Sequence, residues 1–276
     1  MALEKLRLEN KVAIVTGGGR GLGREMAVYL ALAGADVCVA SRTLDQLRDT
    51  AAIIKAGSGS DVLTVPTDIR DSEQCTALVE KTVERFGKVD ILVNNAGFGE
   101  RRGDGLSVWE VTDEDWRDNI DVNLSGTFYC TRAAAKHMCG RCGGGAIINI
   151  ASATALRASP HLFVYAAAKA GVISFTKSMA AMLVPYKIRV NAIVPGFISQ
   201  WPTDDPEELE RRRQRGRFIT ARRVGEAWEM GPLAVYLASD AASYVTGELF
   251  IIDGGGLAGG IAPTGYAPEF EVGGKQ

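Results

Sequence analysis

Lys11-Val-Ala-Ile-Val-Thr16 followed by Gly17-Gly18-Gly19-Arg20-Gly21-Leu22-Gly23 is the stretch that decides the fold. A short run of unbroken apolar and β-branched residues leads into glycines and then into an Ala-rich helical pattern. A strand, a tight turn and a helix in that order form the first part of a βαβ unit. Glycines in such a turn let the backbone bend sharply and come close to a pyrophosphate, whose charge faces the helix N-terminus. A glycine-rich turn alone is weak evidence; its place between the first strand and the first helix gives the phosphate reading its weight.

Working outward, the same alternation continues along the chain. Strands are expected at Lys11–Thr16, Asp36–Ala40, Val62–Val65, Val89–Val93, Ala146–Ile150, Arg189–Val194 and Leu249–Ile252. Helices are expected near 21–33, 43–56, 72–86, 113–138, 163–184 and 226–238, with Thr43 and Asp71 placed as N-caps that have Gln three positions on. Unbroken apolar strands belong to a sheet covered by helices on both faces. Right-handed crossovers then give an α/β fold, a doubly wound parallel sheet in one domain spanning 1–276. Two segments depart from the pattern: a charged stretch at about 199–222, expected to be a lid, and a Gly/Pro/Ala-rich tail at about 257–276.

Bulk properties narrow the partners. The 276 residues are 46% hydrophobic and 23% charged, with net charge −2. That balance argues against nucleic-acid binding or a membrane surface. No secretory leader and no unbroken apolar run of the ~18 residues that span a bilayer can be read. Five cysteines do not make a disulfide framework, so a reducing cytoplasm is the expected compartment. Cys139-Gly140-Arg141-Cys142 beside His137 offers at most three metal ligands, fewer than a structural zinc needs, and reads as a surface loop. Cys38, Cys75 and Cys130 read as small buried hydrophobes.

Cofactor choice should be made where the second strand ends. Sites selecting NAD place a carboxylate there for the ribose 2′-hydroxyl. This chain has Ser41-Arg42, with Arg20 in the glycine turn. Two guanidiniums and a hydroxyl suit a 2′-phosphate, which a carboxylate would repel. NADP(H) is therefore expected, with NAD(H) as the alternative.

Tyr165 and Lys169 stand one helical turn apart, and Ser152 lies thirteen residues before Tyr165. An i,i+4 pair shares a helix face. An ammonium beside a phenol favours the phenolate and brings its pKa from about 10 toward neutrality, where a group can both give and take a proton.

Together these motifs resemble the short-chain dehydrogenase/reductase family: Thr16–Gly23, Asn94-Asn95-Ala96-Gly97, Asn123, Ser152, Tyr165/Lys169 and Pro195-Gly196 stand in the family's order and spacing from about Leu8 to Gly255. The resemblance implies a seven-stranded Rossmann-type sheet and reversible hydride transfer between nicotinamide and a secondary alcohol or ketone. It implies Tyr165 as the acid/base, Lys169 on the nicotinamide ribose, Ser152 on the substrate oxygen and Asn123 in a proton relay to Lys169. Cofactor contacts would come from Thr16, Gly17, Gly19, Arg20, Gly21, Leu22 and Gly23, then from Ser41, Arg42 and Thr43. Asp68 and Ile69 would meet the adenine, Asn95, Ala96 and Gly97 the cleft floor, and Pro195, Gly196 and Ile198 the carboxamide end, beside Tyr165 and Lys169. Five positions past Pro195 the family's usual threonine is replaced by Gln200, so Gln200 or Ser199 would have to serve the carboxamide. The resemblance also implies pairing of the helices at 113–138 and 163–184 into a homotetramer, or a dimer.

The substrate is less legible, because fold and family do not fix it. Thr154 to Phe163, the loop 98–104 and the lid should bound the pocket. Arg211-Arg212-Arg213-Gln214-Arg215 reads either as an anion site or as a solvated helix face with Glu207–Arg211 and Glu208–Arg212 pairs. His161 reads as a pocket residue or as a packing histidine. A 3-oxoacyl carrier-protein reductase is one specific reading, but the arginines such enzymes use to dock their carrier fall at Gly143 and Tyr186, with Arg141 and Lys187 nearby. A sugar-acid or polyol dehydrogenase resembling the gluconate dehydrogenases fits no worse, as does an enzyme for a hydrophobic alcohol such as a steroid or terpenoid. A non-catalytic dinucleotide sensor on the same fold is the alternative class, and the tail is expected to pack across a subunit interface.

Overall fold

The computed structural model describes residues 3–98, 106–157, 159 and 161–259. A short 3-10 turn, Leu3–Leu6, leads into β1 (Val12–Thr16), α1 (Gly21–Leu32), β2 (Asp36–Ser41), α2 (Leu44–Ser58), β3 (Val62–Pro66), α3 (Ser72–Phe86) and β4 (Ile91–Asn94). The second half runs α4 (Asp113–Ile120), α5 (Gly126–Gly140), β5 (Gly145–Ile150), α6 (Phe163–Leu183), β6 (Ile188–Pro195) and β7 (Ile198–Ser199). It ends with α7 (Pro206–Gly216), β8 (Gly225–Glu226), α8 (Met230–Ala238) and β9 (Leu249–Ile252). Seven strands form one parallel sheet in the order β3-β2-β1-β4-β5-β6-β9, and β7 pairs with β8 beside it.

Successive residues on the central strands face opposite layers. Ala13, Val15, Val37, Val39, Ile91 and Val93 join Met26, Leu30, Leu47, Met230 and Leu237 on the side of α1, α2 and α8. Ile14, Cys38, Leu92 and Ile147 join Leu78, Cys130, Met138 and Leu183 on the side of α3, α5 and α6. Both faces are thus covered, which is why the strands are apolar throughout. Chain order reverses between β1 and β4, and the crevice beyond the strands' carboxyl ends at that switch point is where such sheets take ligands.

Two local expectations need correction. Thr43 stands at the N-cap of α2 but makes no capping bond; its carbonyl instead accepts from the Ser41 hydroxyl at 3.4 Å. Asp71 does cap α3, accepting from the Glu73 and Gln74 amides. The single helix expected at 113–138 is broken by a π-helical turn at Asp121–Ser125, which carries Asn123. Such wide turns interrupt the ordinary ladder and recur at functional sites. α6 with its following turn, Phe163–Tyr186, has the length and mean apolarity to cross a bilayer although lysines interrupt it; here Val164, Ala168, Val172, Thr176 and Ala180 bury one of its faces.

The Cys139–Cys142 segment is a structural clasp. Arg141 Nη2 donates to Asp90 Oδ1 at 2.6 Å and to the carbonyls of Val89 and Gly144 at 3.1 Å each. Asp90 Oδ2 accepts from the Val12 amide, tying this loop to the start of β1. His137 Nε2 accepts from the Val89 amide, so the ring is used as a neutral acceptor, and burial holds its pKa down.

Candidate active site

A cleft of about 1250 Å³ opens along the carboxyl ends of the strands. At its β1 end lies the glycine turn. Gly17 takes φ +66°, and a Cβ there would come within 2.7 Å of Asn95 Nδ2 and 2.9 Å of Ala96 Cα. The turn can be this tight only without a side chain. Asn95 Nδ2 donates to the carbonyls of Thr16 and Gly17, fixing the turn against β4.

Arg24, which the sequence reading passed over, completes the turn. Its Nη2 donates to the Gly19 carbonyl at 2.8 Å and its Nε to Thr50 Oγ1 at 3.2 Å. A cation in the first turn of a helix opposes the macrodipole. That misfit was the available signal that Arg24 holds something beyond its own helix.

Gly17, Gly19, Arg20, Leu22, Gly23, Ser41, Arg42, Thr43, Asp68, Ile69, Asn95, Ala96, Gly97, Pro195, Gly196 and Ile198 all line the cleft, together with Ser152, Tyr165 and Lys169. Three expected residues do not reach its wall. Thr16 is buried, and its hydroxyl bridges strands instead: it donates to the Val93 carbonyl and accepts from the Asn95 and Ala96 amides. Gly21 is covered by Gln200, whose Oε1 occupies the place a Cβ on that glycine would need. Asn123 is fully buried beneath the floor.

At the far end, Ser152 follows β5 and caps a 3-10 turn at Ala153–Ala155. Its Oγ accepts from the Thr154 hydroxyl at 2.9 Å and from the Thr154 amide at 3.3 Å. Two accepted bonds leave the Ser152 proton to point outward at a ligand oxygen. Thr154 was foreseen only as a pocket boundary.

Lys169 and Tyr165 project from one side of α6, with Nζ 5.7 Å from the centre of the phenol ring. Lys169 is buried, which lowers its pKa to about 8, and its Nζ donates to the Ile150 carbonyl at 2.9 Å. Asn123 Oδ1 accepts from the Phe98 amide at 3.2 Å, and its Nδ2 donates to the Asn119 carbonyl. A Cβ at Gly97 would sit 2.6 Å from Asn123 Oδ1 and 3.3 Å from Lys169 Nζ. The carboxamide and the ammonium therefore converge on one glycine. A buried polar chain underlies them: Asn94 Nδ2 donates to Thr131 and Asn149, and Asn149 donates to Thr176 on α6.

Asp68 is gripped by Arg70, with a closest contact of 2.6 Å, and Arg70 also reaches Asp118. That guanidinium holds the Asp68 carboxyl below its ordinary value.

The lid leans onto the glycine turn. Arg20 stacks on the Trp201 ring at 5.5 Å, and Ser199 Oγ donates to the Trp201 carbonyl rather than facing a ligand. The Glu207–Arg211 and Glu208–Arg212 pairs form at 3.7 and 3.2 Å. Yet Glu208, Arg212 and Arg215 also line the cleft, so α7 is more than a solvated face. His161 does not line it. The charged loop at 99–104 and the tail beyond 259 lie outside the described residues.

Comparison with known proteins bears on the family and the fold. A family model described as enoyl-(acyl carrier protein) reductase matches residues 17–256. The short-chain dehydrogenase/reductase astE of Aspergillus oryzae is 39% identical over 255 residues, 91% of this chain and 97% of its own. The 2-dehydro-3-deoxy-D-gluconate 5-dehydrogenase of Escherichia coli is 38% identical over 264 residues, covering 94% of this chain and all of that one. Carveol dehydrogenase from Mycobacterium avium, solved with NAD, superposes with TM-score 0.83 at 31% identity, covering 91% of this chain and 99% of that one.

Proposed function

The chain belongs to the short-chain dehydrogenase/reductase family of oxidoreductases acting on alcohols and ketones, and from that membership we propose that it transfers a hydride between NADP(H) and a secondary alcohol or ketone through Ser152, Tyr165 and Lys169. The observation that carries this reading is the single cleft joining the glycine turn at the sheet's switch point to that Ser-Tyr-Lys cluster.

The residues fit a dinucleotide. The glycine turn bares backbone at the N-terminus of α1, as a pyrophosphate requires. Arg42 at the end of β2 and Arg20 in the glycine turn suit a 2′-phosphate, and no carboxylate stands at the end of β2. When bound, the nicotinamide supplies or accepts the hydride. The protein's part is the proton and the oxygen. Tyr165 gives its phenolic proton to the substrate oxygen in reduction and takes it back in oxidation. Lys169, held by Ile150, places its positive charge beside Tyr165 and favours the phenolate. Ser152, with its lone pairs engaged by Thr154, donates to the oxygen as negative charge grows on it. Asn123, beneath Gly97 and close to Lys169, would anchor a water through which the proton moves on from Lys169.

The carrier-protein reductase reading loses one support. Arg141, the nearest guanidinium to Gly143, is already engaged by Asp90 and two carbonyls. We place the protein in the cytoplasm as a homotetramer. Half-exposed Phe128, Met182 and Tyr186 beside Phe175 form the apolar face that such pairing would cover.

The test is a panel of secondary alcohols and ketones with NADH and NADPH in parallel, followed by nicotinamide absorbance. Turnover with NADPH well above NADH is expected. No turnover with either cofactor would sink the enzymatic reading, and a preference for NADH would sink the reading of Arg20 and Arg42.

A further inference from the structure

Besides Arg42 at the cofactor end, two cationic side chains on the cleft wall have no partner: Arg157 and Arg215 line it, and among the described residues neither side chain has a hydrogen bond or an ion pair. Their neighbours are engaged. Arg212 is paired with Glu208 and donates to the Trp201 carbonyl at 2.7 Å. Arg20 lies on Trp201.

Both free arginines belong to the catalytic half of the cleft. Arg157 stands five residues after Ser152, past the 3-10 turn that Ser152 caps. Arg215 is in the last turn of α7, and the chain just beyond it is tied to the end of β9: Ala221 N donates to the Gly254 carbonyl at 2.9 Å and Thr220 Oγ1 to the Gly255 carbonyl at 2.8 Å. Arg42 and Asp68, by contrast, follow β2 and β3 on the other side of the switch point. The acidic side chains on the wall form no ion pair with either arginine: Asp68 is held by Arg70, Glu208 by Arg211 and Arg212, and Asp253 accepts from the Gly255 and Leu257 amides.

The negative end of α7 accounts for a basic residue in its last turn but not for its place on the cleft wall. Arg157 lies on no helix at all. Leu162, Phe197 and Phe218 complete that end of the cleft with apolar surface. Two exposed, unpaired planar donors on a wall that also carries this apolar surface match a carboxylate on a compact organic body.

We propose that the substrate is a hydroxy or keto acid whose carboxylate is held by Arg157 and Arg215 while its carbonyl or hydroxyl carbon faces Tyr165. This rests on the hydride-transfer reading above and names the substrate class for the same site. Arg157 and Arg215 are then specificity residues, away from the bond that changes.

The test reduces 3-oxobutanoate, 4-oxopentanoate and 4-oxocyclohexanecarboxylate beside their methyl esters with the wild-type enzyme, Arg157→Gln and Arg215→Gln. A charge-assisted hydrogen bond lost on one side should lower kcat/KM for the best acid about tenfold or more, mostly through KM, and leave the matching ester within about threefold. The wild-type acid preference should also shrink as salt rises. Equal turnover of acid and ester, or variants that slow both alike, would overturn the carboxylate assignment. Better turnover of dihydroxyacetone phosphate than of any acid would overturn it in favour of a phosphate ester. If neutral ketones are reduced and none of these acids is, the carboxylate assignment falls and hydride transfer stands; if nothing is reduced, both fall.

Discussion

Lys169 donates from Nζ to the backbone carbonyl of Ile150 at 2.9 Å, in a position only 4% exposed. The ammonium that stands beside Tyr165 is therefore set by a strand end as much as by its own helix. Burial is the cause of its low pKa, about 8, against about 10.4 for a free lysine. Below pH 8 both folded and unfolded chains hold the proton, and the folded chain carries the full penalty of about 3 kcal/mol. Between pH 8 and about 10.4 only the unfolded chain keeps it, so the penalty is relieved as pH rises. Lys169→Met should gain stability over wild type at pH 7 and lose most of that gain by pH 10.5. Urea unfolding of both proteins at several pH values measures it; a pH-independent difference would show that Lys169 is not the titrating group.

Tyr165→Phe removes the proposed proton donor and leaves the ring's packing. Turnover should fall about 10²- to 10⁴-fold, the usual weight of a general acid/base. Cofactor affinity, read by nicotinamide fluorescence, should stay within a few-fold. Full turnover in the variant would remove Tyr165 from the mechanism and would favour the sensor reading.

Local chemistry explains what the sequence made legible. Lys11–Thr16 and the glycine turn announce their βα unit through residues that touch one another, and i,i+4 spacing alone puts Tyr165 and Lys169 on one face. What stayed hidden depends on distant segments. Thr16 looks like part of a phosphate turn, yet β4 passes close enough for the Asn95 and Ala96 amides to take its hydroxyl. The π turn at Asn123 lies within an otherwise unbroken helical pattern. Gln200 over Gly21 and Trp201 on Arg20 join residues some 180 positions apart, which no periodicity encodes. The charges of α7 were readable as i,i+4 pairs, but which of its arginines turn toward the cleft depends on the lid's attachment to β9.

Thr154 tests the orientation of Ser152. Thr154→Val keeps the shape and removes the hydroxyl that donates to Ser152 Oγ at 2.9 Å. Ser152 is then free to turn its proton away from the ligand. A drop of about fivefold in kcat is expected, the weight of one ordinary hydrogen bond, with little change in cofactor affinity. Unchanged kcat would mean that Ser152 is oriented by the Thr154 amide alone.

Gly97→Ala places a methyl 2.6 Å from Asn123 Oδ1 and 3.3 Å from Lys169 Nζ. Both neighbours are buried and bonded, so neither yields cheaply. Overpacking of this kind costs about 1–3 kcal/mol, and it should separate the carboxamide from the ammonium. Thermal unfolding should shift down and turnover should fall together. A variant with wild-type turnover would show that the approach of Asn123 to Lys169 is not used.

Arg42 carries the cofactor prediction. Asp68 beyond β3 is engaged chiefly by Arg70 and attracts Arg42 at the neighbouring strand end more weakly, without a hydrogen bond to it. Arg42→Asp puts a carboxylate where it repels a 2′-phosphate and accepts from a 2′-hydroxyl. KM for NADPH should rise at least about tenfold, as loss of a charge-assisted bond implies, and KM for NADH should fall. Trp201→Ala provides the control: it removes the ring on which Arg20 stacks, 5.5 Å away, without touching Arg42. If Arg20 shares the phosphate, freeing it from the ring should change KM for NADPH more than KM for NADH. Equal changes for the two cofactors in both variants would mean that neither guanidinium reads the 2′ position.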